Sequence, residues 1–235
     1  MAKAKGENNR HLKYRNRGLI LKLICTEKNI SRIDLSRMTG LTKMTVTNIT
    51  GELIQQGYIV EGSQGQNSNV GRNPIILDLS PNAPKVLGIH MGRDHCSAVL
   101  VDLRMRTLQR KTIPLGSEET GETIIEKVFQ LTDEMTNWEN NILGCGISAV
   151  GPLDVENKMI LNPPNYFGIQ NLPIGDILSE RYCMDVFIDN DTNGSALAEK
   201  LYGNGKGYSN FLYVGIDNGI GSGIITDDVL YQDNS

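Results

Sequence analysis

Residues 31–57, SRIDLSRMTGLTKMTVTNITGELIQQG, predict two short helices joined by a tight turn. Ser31 is a suitable N-cap for the first helix, and Asp34 follows three residues later, where a carboxylate is favoured beside the first helical N–H groups. Gly40 falls where the turn between the helices needs a residue that tolerates positive φ. Thr42 can cap the second helix. This order of caps and turn is typical of a helix-turn-helix.

Apolar residues in this stretch recur at helical spacing. Leu35 and Met38 give the first helix a narrow apolar side, and the second helix has Val46, Ile49 and then Leu53 or Ile54. Before them, a helix from about Leu12 to Lys28 is predicted to cover the motif with four apolar residues, Leu19, Ile20, Leu23 and Ile24.

The opposite face of the second helix carries short polar groups, one thioether and one cation, with no acid before Glu52. Such a face suits a negatively charged groove whose base edges offer hydrogen bonds and methyl groups. An ordinary solvated helix is the alternative, but surface helices usually mix Glu and Lys more evenly. We therefore predict five DNA-binding residues on this helix: Lys43, Met44, Thr45, Thr47 and Asn48.

Two strand patterns follow the second helix. Residues 58–62 (YIVEG) and 72–79 (RNPIILDL) flank a polar, glycine-containing segment. Two strands around such a tip, placed after a recognition helix, predict a winged helix. Arg72 stands beside the tip and is predicted to reach a minor groove or a phosphate.

Charge is distributed unevenly along the chain. Residues 1–72 contain 12 Lys/Arg and 5 Asp/Glu, a formal charge of +7, whereas the rest contains 11 and 22, a charge of −11. A basic end joined to an acidic body fits a nucleic-acid-binding domain attached to a body that does not itself bind phosphate. Arg10, Lys13, Arg15 and Arg17 could contact phosphates or simply be solvated.

The domain organisation and the compartment follow from composition. Pro81 and Pro84 indicate a boundary, so we predict a DNA-binding domain at 1–80 and a second domain at 81–235. We find no apolar run of the ~20 residues that a membrane span needs and no secretory signal. The four cysteines are widely spaced. Reduced thiols in the cytoplasm are the simplest interpretation.

The second domain alternates strand and helix patterns, which predicts an α/β domain with a mixed sheet. Five of its segments carry a family resemblance: LGIHMGRDHCSAVLVDL (87–103), GCGISAVGPLD (144–154), LNPPNYFGI (161–169), IDNDTNGSALAEKLYGNG (188–205) and LYVGIDNGIGSGIITDDVLY (212–231). In order and spacing they resemble the ROK family of sugar kinases and sugar-responsive repressors. The winged helix and the connecting GRNPIIL are similar to the xylose-operon repressors of that family. The fold that this resemblance implies is a winged helix-turn-helix followed by an actin-like ATPase domain, truncated in its second lobe.

The resemblance also locates a departure from the kinases. Their first-strand pattern is G-x-D-x-G-G-T, with an acid that organises Mg²⁺ and a glycine turn that faces phosphate. Here His90 stands at the position of the Asp, and Arg93 and Asp94 replace Gly-Thr. ATP binding and catalysis are therefore not expected, and His90 is interpreted as a residue without function. The second glycine-rich turn, residues 218–223, is interpreted as structural.

The sugar-facing residues that the resemblance implies are better preserved. Asn165, Asn190 and Asp191 carry short polar side chains that can hydrogen-bond sugar hydroxyls. Asp191 matches the general base of the kinases and would serve here only as a hydrogen-bond acceptor. The alternatives are a turn role for Asn165 and a helix N-cap role for Asn190 and Asp191.

No cofactor is predicted. ROK proteins usually have a zinc site in the second lobe, with a His and closely spaced cysteines, and we expect this chain to stop before that segment. None of His11, His90, His95 or the four cysteines has the matching spacing. We expect the chain to be a shortened form of the family's domain.

Together these features predict a sugar-responsive regulator, a repressor of a carbohydrate operon and possible xylose sensor, that binds operator DNA as a homodimer and contacts no membrane. The first alternative is an ATP-dependent ROK sugar kinase with an appended DNA-binding arm. The second is a shortened chain that binds DNA without sensing a ligand.

Overall fold

A computed structural model of the chain describes residues 9–64 and 74–232. The chain divides into two compact units, Met1–Ala83 and Pro84–Ser235. The boundary predicted at residue 80 lies just before this division.

The first unit is a winged helix. Its strands form one antiparallel sheet in the order β1-β3-β2. The short strand β1 was not predicted, because two residues carry no periodic signal of their own. The elements of this unit are α1 (Asn9–Thr26), β1 (Ile30–Ser31), α2 (Arg32–Thr39), α3 (Lys43–Gln55), β2 (Ile59–Gln64) and β3 (Ile75–Leu79).

The predicted caps of the helix-turn-helix are confirmed. The Asp34 backbone N–H donates to Ser31 Oγ at 3.3 Å, and the Ser31 backbone N–H donates to Asp34 Oδ2 at 3.1 Å. Gly40 follows α2 with a φ of 69°. Thr42 Oγ1 accepts from the Thr45 backbone N–H at 3.2 Å. These local hydrogen bonds satisfy helix-terminal groups that would otherwise have no partner.

The apolar core of the first unit matches most of the predicted pattern. Two predictions were wrong: Met38 is 54% exposed and Leu19 is 40% exposed. Both belong to helices whose buried side is narrow, so these two apolar residues, which lie beside that side, face solvent. The buried residues are Ile20, Ile24, Ile30, Leu35, Val46, Ile49, Leu53, Ile59 and Leu77.

The second unit is built on a five-stranded mixed sheet in the order β10-β7-β4-β5-β6. Strand β4 is parallel to β7, and β7 is parallel to β10, whereas β5 and β6 are antiparallel additions. The elements are β4 (Lys85–Met91), β5 (His95–Val101), β6 (Thr107–Pro114), α4 (Gly121–Trp138), β7 (Ile142–Ala149), β8 (Leu153–Asp154), β9 (Met159–Ile160), α5 (Ile174–Tyr182), β10 (Val186–Asn190), α6 (Asp191–Tyr202), a 3₁₀ turn (Asn204–Gly207), β11 (Phe211–Ile216), β12 (Ile220–Thr226) and β13 (Val229–Leu230).

Helix α4 buries one apolar side against the sheet of this unit. Its residues Ile124, Val128, Leu131 and Met135 are buried in the core of this unit. Burying four such side chains contributes several kcal/mol, since each is worth about 1.5–3 kcal/mol. Within the described residues, no helix is long and apolar enough to cross a membrane.

Glycines let the hairpin of β11 and β12 approach α6 closely. A Cβ on Gly223 would lie 2.4 Å from the Thr192 carbonyl oxygen, and one on Gly221 would lie 2.8 Å from Thr192 Cγ2. A Cβ on Gly215 would meet the same methyl group at 2.9 Å. These contacts agree with the interpretation of the glycine-rich turn as a packing feature.

Two exposed glycines of the first unit give opposite expectations for the same substitution. A Cβ on either Gly51 or Gly40 would meet no atom within 4 Å, but Gly51 lies inside α3 and Gly40 has positive φ. Gly51→Ala should raise the free energy of unfolding by about 0.5–1 kcal/mol, because alanine loses less backbone entropy. Gly40→Ala should lower it by about 1–2 kcal/mol, because Cβ disfavours the left-handed region.

Urea unfolding followed by far-UV circular dichroism measures both variants, each acting as the control for the other. A stabilised Gly40→Ala would show that the turn between α2 and α3 is not the one described.

Candidate functional site

The outer face of α3 presents most of the residues predicted to bind DNA. Lys43, Met44, Thr47 and Asn48 are exposed, Met44 to 70%. Residues 44, 47 and 48 share one face, because positions three and four apart are neighbours on a helix. Thr45 differs, since it is half-buried and its hydroxyl lies 2.9 Å from Thr42 Oγ1. Thr45 is thus turned toward the helix cap, away from that face.

Two basic residues of α1 contact their own unit. Lys13 Nζ lies 2.7 Å from Glu52 Oε1 at the far end of α3. The Arg17 guanidinium lies 5.5 Å from the centre of the Tyr58 ring and donates to Gln56. Both side chains help to attach α1 to the end of α3 and the residues that follow it. The sequence pointed only to phosphate contact or solvation for them and did not predict this structural role. Arg72 and the side chain of Arg10 lie outside the described residues.

The second unit contains a cavity of about 370 Å³ at one edge of its sheet. Strands β4, β7 and β10 are parallel, so their carboxyl ends meet at this edge, where ligands bind in open α/β sheets. The turn between β11 and β12 adds a further wall. The lining residues are His90, Gly92, Arg93, Asp94, Val150, Gly151, Asn190, Asp191, Thr192, Gly215, Asp217, Asn218, Gly219, Ile220 and Gly221.

Asn190 and Asp191 line this cavity and also begin α6. Asn190 Oδ1 accepts from the Thr192 backbone N–H at 3.0 Å and from Thr192 Oγ1 at 2.7 Å. Asp191 Oδ1 also accepts from the Thr192 N–H, at 2.7 Å. Both residues therefore cap the start of α6, and the capping hydrogen bonds hold their side chains in the wall of the cavity.

Asn165 lines a smaller depression together with Pro164. Arg93, Asp94 and Asn218 line both this depression and the larger cavity. The three residues predicted to bind sugar are therefore not in one cavity, but they lie in adjoining ones with shared walls.

His90 lies in the lining of the larger cavity. Its Nδ1 is 3.3 Å from Ser148 Oγ, and its ring centre is 5.1 Å from that of His95. Burial lowers the pKa of His90, and His95 lowers it further, whereas the carboxyl groups of Asp191, Asp94 and Asp217 act in the opposite direction. The interpretation of His90 as a residue without function did not anticipate this position.

The first turn of the cavity does not fit a nucleotide phosphate. The Gly92 N–H, which would have to face phosphate, donates to the His95 carbonyl at 3.0 Å. The Arg93 guanidinium donates to the carbonyls of Pro164 and Asn165. Backbone N–H groups and free cations are what a phosphate site requires.

Sequence reasoning missed the roles of Asp217 and Asn218 in the wall. The signal was present, because Asp217 directly precedes the glycine-rich turn and Asn218 begins it, but that turn had been given a structural role only. Among the residues that the structure describes, no group of three or more His, Cys, Asp or Glu side chains could hold a metal ion.

Comparison with known proteins agrees with this architecture. Residues 86–233 match the model of the ROK family, and residues 15–60 match a winged helix-turn-helix DNA-binding model. The chain belongs to the ROK family. It has the winged helix at its N-terminal end, followed by the family's actin-like domain.

Individual relatives agree with the repressor branch. The xylose repressor of Caldicellulosiruptor bescii is 32% identical over 229 residues, covering 96% of this chain and 57% of the repressor. A crystal structure of a ROK family transcriptional regulator, described as a homologue of the Escherichia coli Mlc protein, superposes with a TM-score of 0.79 at 28% identity, covering 94% of this chain and 57% of that one. A ROK hexokinase from Thermus thermophilus gives a TM-score of 0.56 at 30% identity, with coverages of 64% and 49%. The chain thus spans little more than half the length of these repressors.

The lowered pKa of His90 predicts a pH-dependent contribution to stability. Because the folded-state pKa lies below the ordinary 6.5, the unfolded chain takes up this proton first as pH falls. His90 therefore destabilises the fold as pH drops through about 6.5 toward the folded-state pKa, and costs nothing well above it. His90→Gln should lose less stability than wild type between about pH 7 and pH 5.

Urea unfolding at a series of pH values measures this difference. His11→Gln, which removes an exposed histidine of α1, is the control and should follow the wild-type profile. If the stability of His90→Gln changed with pH in the same way as that of wild type, burial would not be lowering the pKa of His90.

Proposed function

We propose that this chain is a sugar-responsive transcriptional repressor. It binds operator DNA through the winged helix, and a sugar bound in the cleft of the second unit weakens that binding. The observation that carries the proposal is the pairing in one chain of an exposed, acid-free α3 face with a polar cleft that does not fit a nucleotide. The relatives named as xylose repressors support the same assignment.

On DNA, we propose that Lys43, Met44, Thr47 and Asn48 meet base edges in the major groove. Asn48 can pair with adenine, and Met44 can contact a thymine methyl group. The partially buried Thr45 keeps the start of the helix in place. Arg72 and the basic α1 are proposed to meet phosphates or a minor groove.

The DNA-bound form is proposed to be a homodimer on a two-fold-related site, since one helix-turn-helix reads too few bases for useful specificity. We propose a cytoplasmic location, because the proposed target is operator DNA. Sedimentation of the operator complex tests the dimer, and a monomer that protects only one half-site would contradict it.

In the cleft, we propose that Asn165, Asn190 and Asp191 bind an uncharged sugar. Amide and carboxylate groups match the donors and acceptors of sugar hydroxyls. The described residues that line the larger cavity include no lysine, and their only arginine already binds backbone carbonyls. The names of the relatives make D-xylose the first sugar to test.

We propose no enzymatic activity and no cofactor for this chain. A ROK sugar kinase with a DNA-binding arm is the alternative, and the fold that the chain shares with ROK hexokinases favours it. A coupled assay with Mg·ATP and a panel of hexoses and pentoses separates the two. Turnover that is lost in Asp191→Asn would establish the kinase.

Operator binding in the presence and absence of sugar tests the proposed function. Fluorescence anisotropy should show tight binding to the DNA upstream of a carbohydrate operon and weaker binding when D-xylose or another neutral sugar is added. Binding that no sugar changes would favour a chain that binds DNA without sensing a ligand.

Asn48→Ala should weaken binding to the operator by about 1–3 kcal/mol and binding to random DNA hardly at all, because a base contact is lost. Arg72→Ala should weaken both and reduce the salt slope by about one unit if one phosphate contact is lost. Titrations at several salt concentrations measure both variants. Equal losses on operator and random DNA for Asn48→Ala would show that α3 does not read the bases.

Asp191→Asn should weaken the binding of D-xylose about tenfold or more, because hydrogen bonds to a charged acceptor are worth about 1.5–3 kcal/mol. Asp176→Asn is the matched control, since Asp176 also lies in the first turn of a helix, α5, but not in the cavity. Both variants lose the same favourable interaction with a helix N-terminus. Calorimetric titration measures the affinities, and equal values for the two would place the sugar elsewhere.

A further inference from the structure

The loop of residues 163–168 is tied to the end of β4 at two points. The buried Tyr166 donates its hydroxyl to the Met91 carbonyl at 3.1 Å. Arg93 Nη1 donates to the carbonyls of Pro164 at 2.9 Å and Asn165 at 3.0 Å. The loop therefore has one deep anchor and one anchor at the rim of the cleft.

The backbone of this loop needs such anchors. Asn165 and Phe167 have φ values of 53° and 52°, and Gly168 has 67°. Left-handed conformations at non-glycine residues cost free energy and persist where surrounding contacts impose them. The two anchors involve Pro164, Asn165 and Tyr166, so they act on the strained part of the loop.

An arginine is well suited to the outer anchor. Both hydrogen bonds come from Nη1, whose two N–H groups are held in the plane of the guanidinium, so this one nitrogen can hold two neighbouring carbonyls. The Arg93 guanidinium also lies 5.9 Å from the centre of the Tyr166 ring, a distance compatible with cation–π attraction. A lysine ammonium is more strongly hydrated, and its donors rotate at the end of a flexible stem, so it would hold the two carbonyls less firmly.

The outer anchor leaves the side chain of Asn165 available. Within residues 9–64 and 74–232, the structure gives the Asn165 amide no hydrogen bond, although its backbone carbonyl is bound by Arg93. Asn165 and Arg93 line the same depression beside the larger cavity. The guanidinium thus holds the backbone of a residue whose side chain is exposed toward the proposed ligand.

We propose that Arg93 is a positioning residue for ligand binding. It clamps the loop of residues 163–168 so that Asn165 faces the cleft before any ligand arrives, which lowers the ordering cost of binding. This inference rests on the proposed function, because it assumes that the cleft binds an uncharged sugar. It assigns to Arg93 a role in the site that is separate from direct contact with the ligand.

The test compares Arg93→Ala, Arg93→Lys and Arg110→Ala in the full chain. Arg110 is exposed on β6 and serves as the matched control for loss of an arginine. Hydrogen–deuterium exchange without ligand should show faster exchange at the amides of residues 165–169 for Arg93→Ala and Arg93→Lys, with β4 and β7 unchanged. D-xylose affinity, measured by calorimetry, should fall about tenfold in both and stay unchanged in Arg110→Ala.

Added guanidinium ion separates positioning from a general loss of structure. Millimolar guanidinium should slow loop exchange and restore D-xylose affinity in Arg93→Ala, where it can occupy the vacated space, but not in Arg93→Lys. If Arg93→Ala disturbs the whole unit, Arg93→Gln, which keeps one pair of donors, should show the same changes at smaller size.

Loop exchange equal to wild type, or unchanged D-xylose affinity in Arg93→Ala, would overturn the clamp. Failure of the wild-type chain to bind any neutral sugar would instead overturn the proposed function, and the exchange measurement would still decide whether Arg93 holds the loop.

Discussion

The parallel pairing of β4, β7 and β10 is the constraint on which the candidate ligand site depends. The pairing sets Met91 beside Ala149 and Asn190 beside the same Ala149, so three strands end at one level. The residues that line the cavity lie at or just after the carboxyl ends of these three strands, or in the β11–β12 hairpin that packs on α6. A shift of one residue in either pairing would turn every side chain of the shifted strand to the other face of the sheet. His90 and Asp191 would then no longer line the same cavity.

At this shared edge, the chain has replaced the means of holding phosphate with internal contacts. The Gly92 N–H binds the His95 carbonyl, and Arg93 binds the carbonyls of a strained loop. His90 occupies the end of β4, where burial lowers its pKa and disfavours a positive charge. What remains exposed in the cleft is a set of amides and carboxyl groups. These groups are the basis on which we propose that the cleft recognises sugar hydroxyls.

Sequence reasoning predicted the features that depend on local patterns. Ser31, Gly40 and Thr42 were assigned correctly, because caps and turns are set by neighbouring residues. The same reasoning placed Met38 in the core and did not foresee His90 in a cavity wall, because burial and cavity walls depend on residues far apart in the chain. The hydrogen bonds of Arg93 to the loop 71 and 72 residues away could not be derived from any local pattern. The resemblance supplied Asn190 and Asp191 as ligand contacts, the sequence offered helix capping as their other role, and the structure shows the capping hydrogen bonds.

The most direct measurement is a crystal structure of this chain grown with D-xylose and Mg·ATP together. The account predicts electron density for the sugar against Asn165, Asn190 and Asp191, with Arg93 still bound to the loop carbonyls and with no nucleotide beside the glycine-rich turn of residues 218–223. Nucleotide phosphates on the backbone of Gly92 and of that turn would contradict it, since they would require the internal hydrogen bonds of the first turn to break.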